Sequence, residues 1–248
     1  KAGCARHYVK RLYPRFDLTL APSRVMADYL ESLGIPRVAV QPLGVDTALF
    51  HPSKRDPGVR RELGLPESTR LLAFAGRGAR EKNIPLLLDT LRHLGPRYHL
   101  LLIGPGMPTH DLPANVTAYP YYFDGMAVSR WLASADAFIH GGAQETFGLV
   151  VLEAMASGLP VIGVNAGAVA ELVTPGSGIL ADRASARSLA EAAEYLFMLD
   201  VRAIGQLARL RVEAQWSWDS VFRQMLVRYA GLIRSSAPLA LTPAHYAS

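Results

Sequence analysis

Two glutamates stand eight positions apart in a mostly apolar stretch, "GAQETFGLVVLEAMASGLPV", at residues 142–161. A helix that is hydrophobic all round is normally buried, and a buried carboxylate needs an ion pair or hydrogen bonds. Glu153 lies inside the helical part, so it needs a partner, and Glu145 stands just before the helix. A vicinal diol such as a ribose offers two donors to one carboxylate. A backbone group or an arginine of a neighbouring element is the alternative partner for Glu153, and the residues alone leave both open.

The segment "AFIHGGAQETFG" (137–148) predicts a strand, a glycine loop and the start of that helix near Thr146 or Phe147. Thr146 is the expected N-cap. The unpaired N–H groups of a first helical turn carry partial positive charge and suit a phosphate or a polar sugar. Glu145, just outside this turn, can accept hydrogen bonds from neutral hydroxyls. His140, at the end of the strand, is interpreted as structural and is left out of the catalytic set.

A possible cationic pair follows another strand, in "FAGRGAREKN" (74–83). Gly76 ends the strand, and Arg77 and Lys82 lie at the edge of the sheet where such folds bind ligands. A dinucleotide fingerprint would need a third glycine at position 81, which is glutamate, so that motif is excluded. Arginine can clamp an anionic oxygen with two bonds while lysine supplies a compact charge. Taken alone, the pair is more typical of a solvated surface than of an anion site.

A second strand-then-glycine turn, "LLIGPG" (101–106), places Gly104 where a ligand can approach the backbone closely. A plain tight turn is the alternative, and it is the favoured interpretation when this motif is taken alone.

Strand-like runs alternate with single helical segments along nearly the whole chain, which predicts a doubly wound α/β domain with a parallel sheet. The predicted strands are at 17–21, 38–43, 71–76, 98–104, 115–119, 137–142, 160–164 and 178–180. The predicted helices are at 25–33, 85–94, 126–134, 148–157, 187–199, 203–215 and 219–234. A segment rich in proline and turn formers between Pro42 and Pro57 marks the expected boundary, and the first forty residues are too short for a domain of their own.

The composition indicates a folded protein without a disulfide framework or a membrane-spanning segment. Half of the 248 residues are hydrophobic and 19% are charged, which permits a packed core. The single cysteine, Cys4, excludes an internal disulfide framework. No leader and no membrane-length apolar run is apparent, so we expect a soluble, cytoplasmic protein.

Part of the net charge of +5 is concentrated in the first fifteen residues, which contain Lys1, Arg6, Lys10, Arg11 and Arg15. This pattern favours a solvated helix face, and a surface for anionic lipid at the inner membrane face is the alternative. The absence of zinc-type spacing and of interleaved aromatic and basic residues argues against nucleic acid.

Taken in order, the motifs resemble those of a known enzyme family. "ETFGLVVLE" resembles the signature of two glutamates separated by seven residues in retaining glycosyltransferases of the GT-B architecture, most closely family 4. The sequence "HGGAQETFGLVVLEAM" resembles that of GDP-mannose-dependent α-mannosyltransferases more than that of the glucosyl enzymes. Other stretches that match in order are "DLTLAPSRVMADYL", "PLGVDTALFHP", "GRGAREKN", "LLIGPG" and "WSWDSVFRQMLVRY".

The resemblance implies two Rossmann-like domains that face a cleft, with the donor-binding domain complete here at residues 44–215. Residues 1–43 would be the end of the acceptor domain, 216–234 a helix crossing back to it, and 235–248 a tail expected to fray. Because most of the acceptor domain would be missing, this piece alone is expected to be inactive.

The resemblance also implies roles for single residues. Arg77 and Lys82 match the pair that binds the diphosphate, Glu145 matches the glutamate beside the donor sugar, and Glu153 matches the glutamate that binds the ribose diol. Glu145, Arg77 and Lys82 form the implied catalytic set. The implied donor site is Gly76, Arg77, Lys82, Gly104, Glu145, Thr146, Phe147, Gly148, Leu149 and Glu153. The stretch "YPYYFDG" (119–125) departs from the family's short glycine turn, so contacts to the base stay unassigned.

The expected activity is transfer of a sugar, with mannose favoured, from a nucleoside-diphosphate sugar to an acceptor hydroxyl with retention of configuration. The chain has no Asp-x-Asp pair, which favours a metal-independent reaction, and no cofactor is expected beyond the donor. The acceptor is expected to be lipid-linked or a glycan. Three alternatives stay open: a UDP-sugar-dependent glucosyl- or N-acetylglucosaminyltransferase, a GT-B epimerase, and a non-catalytic nucleotide-sugar-binding fragment.

Overall fold

The computed structural model describes residues 2–121 and 123–236, with side chains described for residues 6–121 and 123–234. Residues 237–248, which make up most of the expected tail, lie outside the described part. Tyr122, within the stretch expected near the base, lies outside it as well.

The described strands form two parallel sheets. The strands are β1 (Thr19–Ala21), β2 (Val38–Val40), β3 (Arg70–Ala75), β4 (Tyr98–Ile103), β5 (Val116–Tyr119), β6 (Ala137–His140), β7 (Val161–Val164) and β8 (Gly178–Ala181). The first two pair with each other, and the other six form one sheet in the order β5-β4-β3-β6-β7-β8. Strands β4, β6 and β7 are buried along their whole length, so both faces of the large sheet are covered.

Ten α-helices are described, in chain order α1 (Ala2–Leu12), α2 (Arg24–Ser32), α3 (Gly58–Glu62), α4 (Ile84–Leu94), α5 (Gly125–Ser134), α6 (Leu149–Ala156), α7 (Gly167–Leu172), α8 (Ala186–Leu196), α9 (Val201–Trp216) and α10 (Trp218–Ser236). Helix α4 packs against α8, and α6 packs against α5 and α9. The chain builds outward from β3 through β4 to β5 and then crosses back to β6 on the other side. Because such connections are right-handed, α4 and α8 lie on one face of the sheet, and α5, α6 and α9 lie on the other. The point where the strand order reverses, between β3 and β6, is where such sheets bind ligands.

The small sheet belongs to a separate apolar cluster. Ala21, Ala27, Leu30 and Ile35 pack together around β1, α2 and β2, apart from the main core. The chain then passes to the large sheet beside the segment between α9 and α10, where the Val45 N–H donates to the Trp216 carbonyl at 2.8 Å. The division of the chain near residue 43 stays a prediction.

The start of α2 is bonded to the part of the chain that follows β6 and β7. The Arg24 and Val25 N–H groups donate to the two carboxylate oxygens of Glu171, on α7, at 2.8 and 2.7 Å. The Ser23 hydroxyl donates to the Thr146 carbonyl at 2.6 Å. Because a carboxylate at a helix N-terminus satisfies free amides and interacts well with the helix dipole, these bonds hold α2 against the loop that carries the candidate site.

Candidate active site

The loops that follow β3 and β6 meet at the point of strand reversal. Strands β3 and β6 are neighbours, with Leu72 opposite Ala137. After β3 the chain forms a 3₁₀ turn at Arg80–Lys82, and after β6 it runs through residues 141–148 into α6. Lys82 Nζ donates to Glu145 Oε2 across these two loops. Two members of the predicted catalytic set are therefore in direct contact, although 63 residues separate them.

The Lys82–Glu145 pair is mostly shielded from solvent, with side-chain exposures of 16% and 12%. The N–H of His140 contributes most to lowering the pKa of Glu145, and Lys82 lowers it further. These effects outweigh burial, which raises it, and the pKa of Glu145 falls to about 2. Glu145 is therefore an ionised acceptor at neutral pH, suited to hold hydroxyl groups.

His140 contributes to this site, which the sequence reasoning missed. Its side chain is fully buried. Nδ1 accepts a hydrogen bond from the Gly142 N–H at 3.2 Å, and Nε2 lies 3.3 Å from Glu145 Oε2. The only signal in the sequence was its place at the end of a strand, five residues before Glu145.

Glu153 lines an open cavity. The cavity has a volume of about 340 Å³, and its walls include Glu153, Arg77, Gly104, Tyr121 and Phe123. No hydrogen bond or ion pair joins the Glu153 carboxylate to any residue in the described ranges, and burial raises its pKa to about 7. The arginine or backbone partner considered from the sequence is thus not found in the described part of the chain, and the carboxylate faces space that a ligand can fill.

Arg77 and Lys82 do not form one clamp in this structure. Lys82 is turned to Glu145, whereas Arg77 lines the cavity and lies 3.7 Å from Glu81. The Arg77 side chain is 72% exposed. An ion pair this exposed contributes about 0–1 kcal/mol, so Arg77 is free to turn toward a ligand in the cavity.

The two glycine turns pack directly against each other. Gly76 and Gly104 have φ angles of 137° and 127°, which disfavour other residues. A Cβ on Gly104 would lie 2.1 Å from the Gly76 carbonyl oxygen. Their own amides are already bonded to the Ile103 and Tyr119 carbonyls, so these glycines supply open space and not free donors.

Helix α6 begins later than the sequence suggests. Its first residue is Leu149, and Gly148, with φ 87°, precedes it without a side-chain cap. The prediction of Thr146 as the N-cap was wrong, because a left-handed glycine turns the chain into the helix and leaves Thr146 in the loop. Phe147 is 6% exposed and belongs to the main core, so its side chain anchors the loop.

The first amides of α6 remain available. The N–H groups of Leu149 and Val150 have no acceptor among the described residues, and both residues line the cavity. Unpaired amides at a helix N-terminus attract anions. The cavity thus has an arginine and two free amides on its walls beside the unpartnered Glu153.

The described residues contain neither a metal-type cluster of side chains nor a membrane-length apolar helix. Between residues 2 and 236, with Tyr122 left out, no three His, Cys, Asp or Glu lie close enough together to hold a metal ion. Within the same ranges no helix combines the length and apolar character needed to cross the bilayer.

A family model described as "Glycosyl transferases group 1" matches residues 57–202. A GDP-mannose-dependent alpha-mannosyltransferase of Mycolicibacterium smegmatis is 33% identical over 231 residues, which cover 91% of this chain and 60% of that protein. A GDP-mannose-dependent alpha-(1-6)-phosphatidylinositol dimannoside mannosyltransferase of Mycobacterium tuberculosis is 30% identical, covering 91% of this chain and 61% of that protein. The chain thus spans about 60% of the length of these curated relatives.

Solved structures share the fold. Sucrose-phosphate synthase from Thermosynechococcus elongatus superposes with a TM-score of 0.82 at 25% identity, covering 94% of this chain and 63% of that one. Anabaena HepE in complex with UDP-glucose superposes with a TM-score of 0.81 at 20% identity, covering 93% and 68%. The predicted GT-B, Rossmann-like fold with a doubly wound parallel sheet is confirmed.

Proposed function

Because the chain belongs to the glycosyl transferases group 1 family, we propose that its large domain binds a nucleoside-diphosphate sugar whose sugar the protein transfers to an acceptor hydroxyl. GDP-mannose is the proposed donor, and the anomeric configuration is retained. The observation that carries the proposal is the cavity that Glu153 shares with Arg77. A carboxylate without a protein partner and an arginine free to move are what a ribose diol and a diphosphate require.

Glu153 binds the ribose in this proposal. Its carboxylate is partly buried, has no bond to a described residue and faces the cavity. Two ribose hydroxyls satisfy both of its oxygens, which offsets the cost of burying the charge. The base then lies further along the cavity, beside Tyr121 and Phe123.

The diphosphate leaving group is stabilised by fixed positive charge. As the bond to the sugar breaks, negative charge grows on the departing phosphate, and donors already in place lower the barrier. Lys82 has three N–H donors and uses one on Glu145. Arg77 and the free amides of Leu149 and Val150 complete the set, which serves in place of a metal ion, and no cofactor is needed beyond the donor.

Glu145 positions the donor sugar. Its low pKa keeps it ionised, so it accepts hydrogen bonds from sugar hydroxyls. The acceptor hydroxyl attacks from the side on which the phosphate leaves, and that phosphate takes the hydroxyl proton. Retention then needs no covalent intermediate on Glu145.

Calorimetric titration of the 248-residue chain with GDP, UDP and ADP tests the donor. We expect GDP to bind at least about tenfold more tightly than the others, since this is the difference that one well-made hydrogen bond to a base provides. Replacing Arg77 with alanine should weaken the binding of GDP more than the binding of GMP, because only GDP carries the second phosphate, which Arg77 binds. Thermal melting should change little, as the Arg77–Glu81 pair is exposed.

Arg92→Ala is the matched control, since Arg92 forms a similarly exposed ion pair with Asp89 on α4, away from the cavity. Equal weakening of GDP and GMP by Arg77→Ala would contradict its role, and no binding of any of the three diphosphates would contradict the proposal. A preference for UDP would favour the UDP-sugar alternative. Donor consumption without an acceptor would favour an epimerase or hydrolase.

We further propose a lipid-linked acceptor, with the protein in the cytoplasm and in peripheral contact with the inner membrane face. Support comes from the exposed basic side chains of Arg6, Lys10, Arg11 and Arg15 in and after α1 and from the phosphatidylinositol dimannoside named for one relative. Co-sedimentation with vesicles containing anionic lipid should exceed that with neutral vesicles and should fall with added salt. Equal sedimentation with anionic and neutral vesicles would contradict the proposed membrane contact.

A further inference from the structure

His140 is a buried polar side chain whose role the proposed reaction does not yet use. It ends β6 at the centre of the sheet, with its ring 5.8 Å from that of Phe74 and 6.5 Å from that of Phe138. The side chain is fully buried, so it touches neither solvent nor a ligand in the cavity. Burying an imidazole in such apolar surroundings costs free energy unless its nitrogens are paired. The contacts of Nδ1 and Nε2 therefore decide how this cost is reduced.

The hydrogen bond from Gly142 fixes where the proton of the ring lies. Because Nδ1 accepts from the Gly142 N–H at 3.2 Å, Nδ1 carries no proton, and the neutral ring holds its proton on Nε2. Nε2 lies 3.3 Å from Glu145 Oε2. This approach does not meet the geometry of a hydrogen bond, and Nε2 has no other hydrogen-bond partner among the described residues.

Two donors therefore converge on the same oxygen of Glu145. Lys82 Nζ bonds Oε2, and the His140 N–H lies beside that atom. No described residue bonds Oε1, which leaves this oxygen for a ligand. When a diphosphate draws Lys82 toward itself, Oε2 loses part of its bond to the lysine. The His140 N–H, which is neutral and fixed by the sheet, then becomes the remaining donor.

Resting on the transfer reaction proposed above, we propose that His140 is a positioning residue for Glu145. It ties the start of the 141–148 loop, through Gly142, to the carboxylate that holds the donor sugar. The carboxylate thereby keeps one orientation while Lys82 is shared with the diphosphate. Packing alone does not require this tautomer, and an apolar side chain would fill the same space between Phe74 and Phe138.

Two amide replacements separate the two contacts of the ring. In His140→Asn the side-chain oxygen can replace Nδ1 as the acceptor for Gly142, but the residue is too short to reach Glu145. In His140→Gln the amide nitrogen can replace Nε2 as the donor to Glu145. We expect the Asn variant to weaken GDP-mannose binding on the order of 10- to 100-fold, with GDP binding unchanged because GDP lacks the mannose that Glu145 holds. The Gln variant should recover most of the loss.

Calorimetry with GDP and GDP-mannose, together with thermal melting, measures these effects. Equal losses for both ligands, or no recovery in the Gln variant, would overturn the positioning role while leaving the proposed function intact. If the wild-type chain bound neither ligand, the proposed function itself would fail.

A measurement on the wild-type chain covers the case in which a variant does not fold. Nitrogen-15 NMR of the imidazole should show the proton of His140 on Nε2, with the Nε2 signal shifting more when GDP-mannose binds than when GDP binds. A proton on Nδ1, or identical shifts with both ligands, would overturn the proposal.

Discussion

Replacing Lys82 with alanine should lower the rate of sugar transfer by about 10²- to 10³-fold, the loss seen when one preorganised charge-stabilising donor is removed. Lys82 is the mostly buried cation that bonds Glu145, and in the proposed reaction its two remaining N–H donors stabilise the charge of the leaving group. Binding of GDP to the 248-residue chain should weaken by about 10- to 100-fold, as expected for a lost hydrogen bond to a charged group. Steady-state kinetics of sugar transfer measure the first effect, and calorimetry with GDP measures the second.

Arg80→Ala is the control for Lys82→Ala. Arg80 lies in the same 3₁₀ turn, carries the same charge and is exposed, so its removal changes the local charge equally without touching Glu145. If both substitutions reduced the rate alike, a general electrostatic effect would explain the result. An unchanged rate in Lys82→Ala with intact folding would exclude Lys82 from the reaction.

Replacing Glu153 with glutamine should stabilise the protein at pH 8 and weaken its binding of nucleotide. Burial raises the pKa of Glu153 from 4.5 to about 7. Between these values the folded chain binds more protons at this site than the unfolded chain, so stability falls as the pH rises through this window and levels off above it. Removing the charge should therefore raise the free energy of unfolding by up to about 3 kcal/mol at pH 8 and by less than about 1 kcal/mol at pH 5.

Urea unfolding at both pH values tests this effect, and Glu145→Gln provides the opposite case. The pKa of Glu145 is lowered to about 2, so its charge stabilises the fold above pH 4.5, and that stability is lost as the pH falls toward 2. Glu145→Gln should accordingly be less stable than wild type at pH 8. A Glu153→Gln protein that is no more stable than wild type at pH 8, or that binds GDP as tightly, would contradict our assignment. Glu153 would then not be a ligand-binding carboxylate whose buried charge destabilises the fold.

The sequence predicted the main elements closely because each carries a local signal. Strand β4 was expected at 98–104 and is found at Tyr98–Ile103, and α4 was expected at 85–94 and is found at Ile84–Leu94. The five-residue helix α3 was not predicted, since one turn and a half is too short to show a helical period.

The details of the candidate site depend on contacts that local patterns do not reveal. The late start of α6 follows from the left-handed conformation of Gly148 and from bonds that fix the preceding loop, such as that from the Ala168 N–H to the Glu145 carbonyl. The meeting of His140, Lys82 and Glu145 depends on that loop path and on the pairing of β3 with β6. The residue types were visible in the sequence, whereas their distances depend on the three-dimensional path of the chain.

The bonds at the start of α2 bear on how this protein can be recombined with others. Glu171 and Thr146, which flank the candidate site in the chain, are bonded to residues 23–25, which precede the large sheet by more than forty positions. A chimaera that exchanged only the part of the chain from β3 onward would break these bonds and free one end of the loop that contains Glu145. Exchange points for such chimaeras therefore belong before Ser23, so that α2 is exchanged together with the 141–148 loop that it contacts.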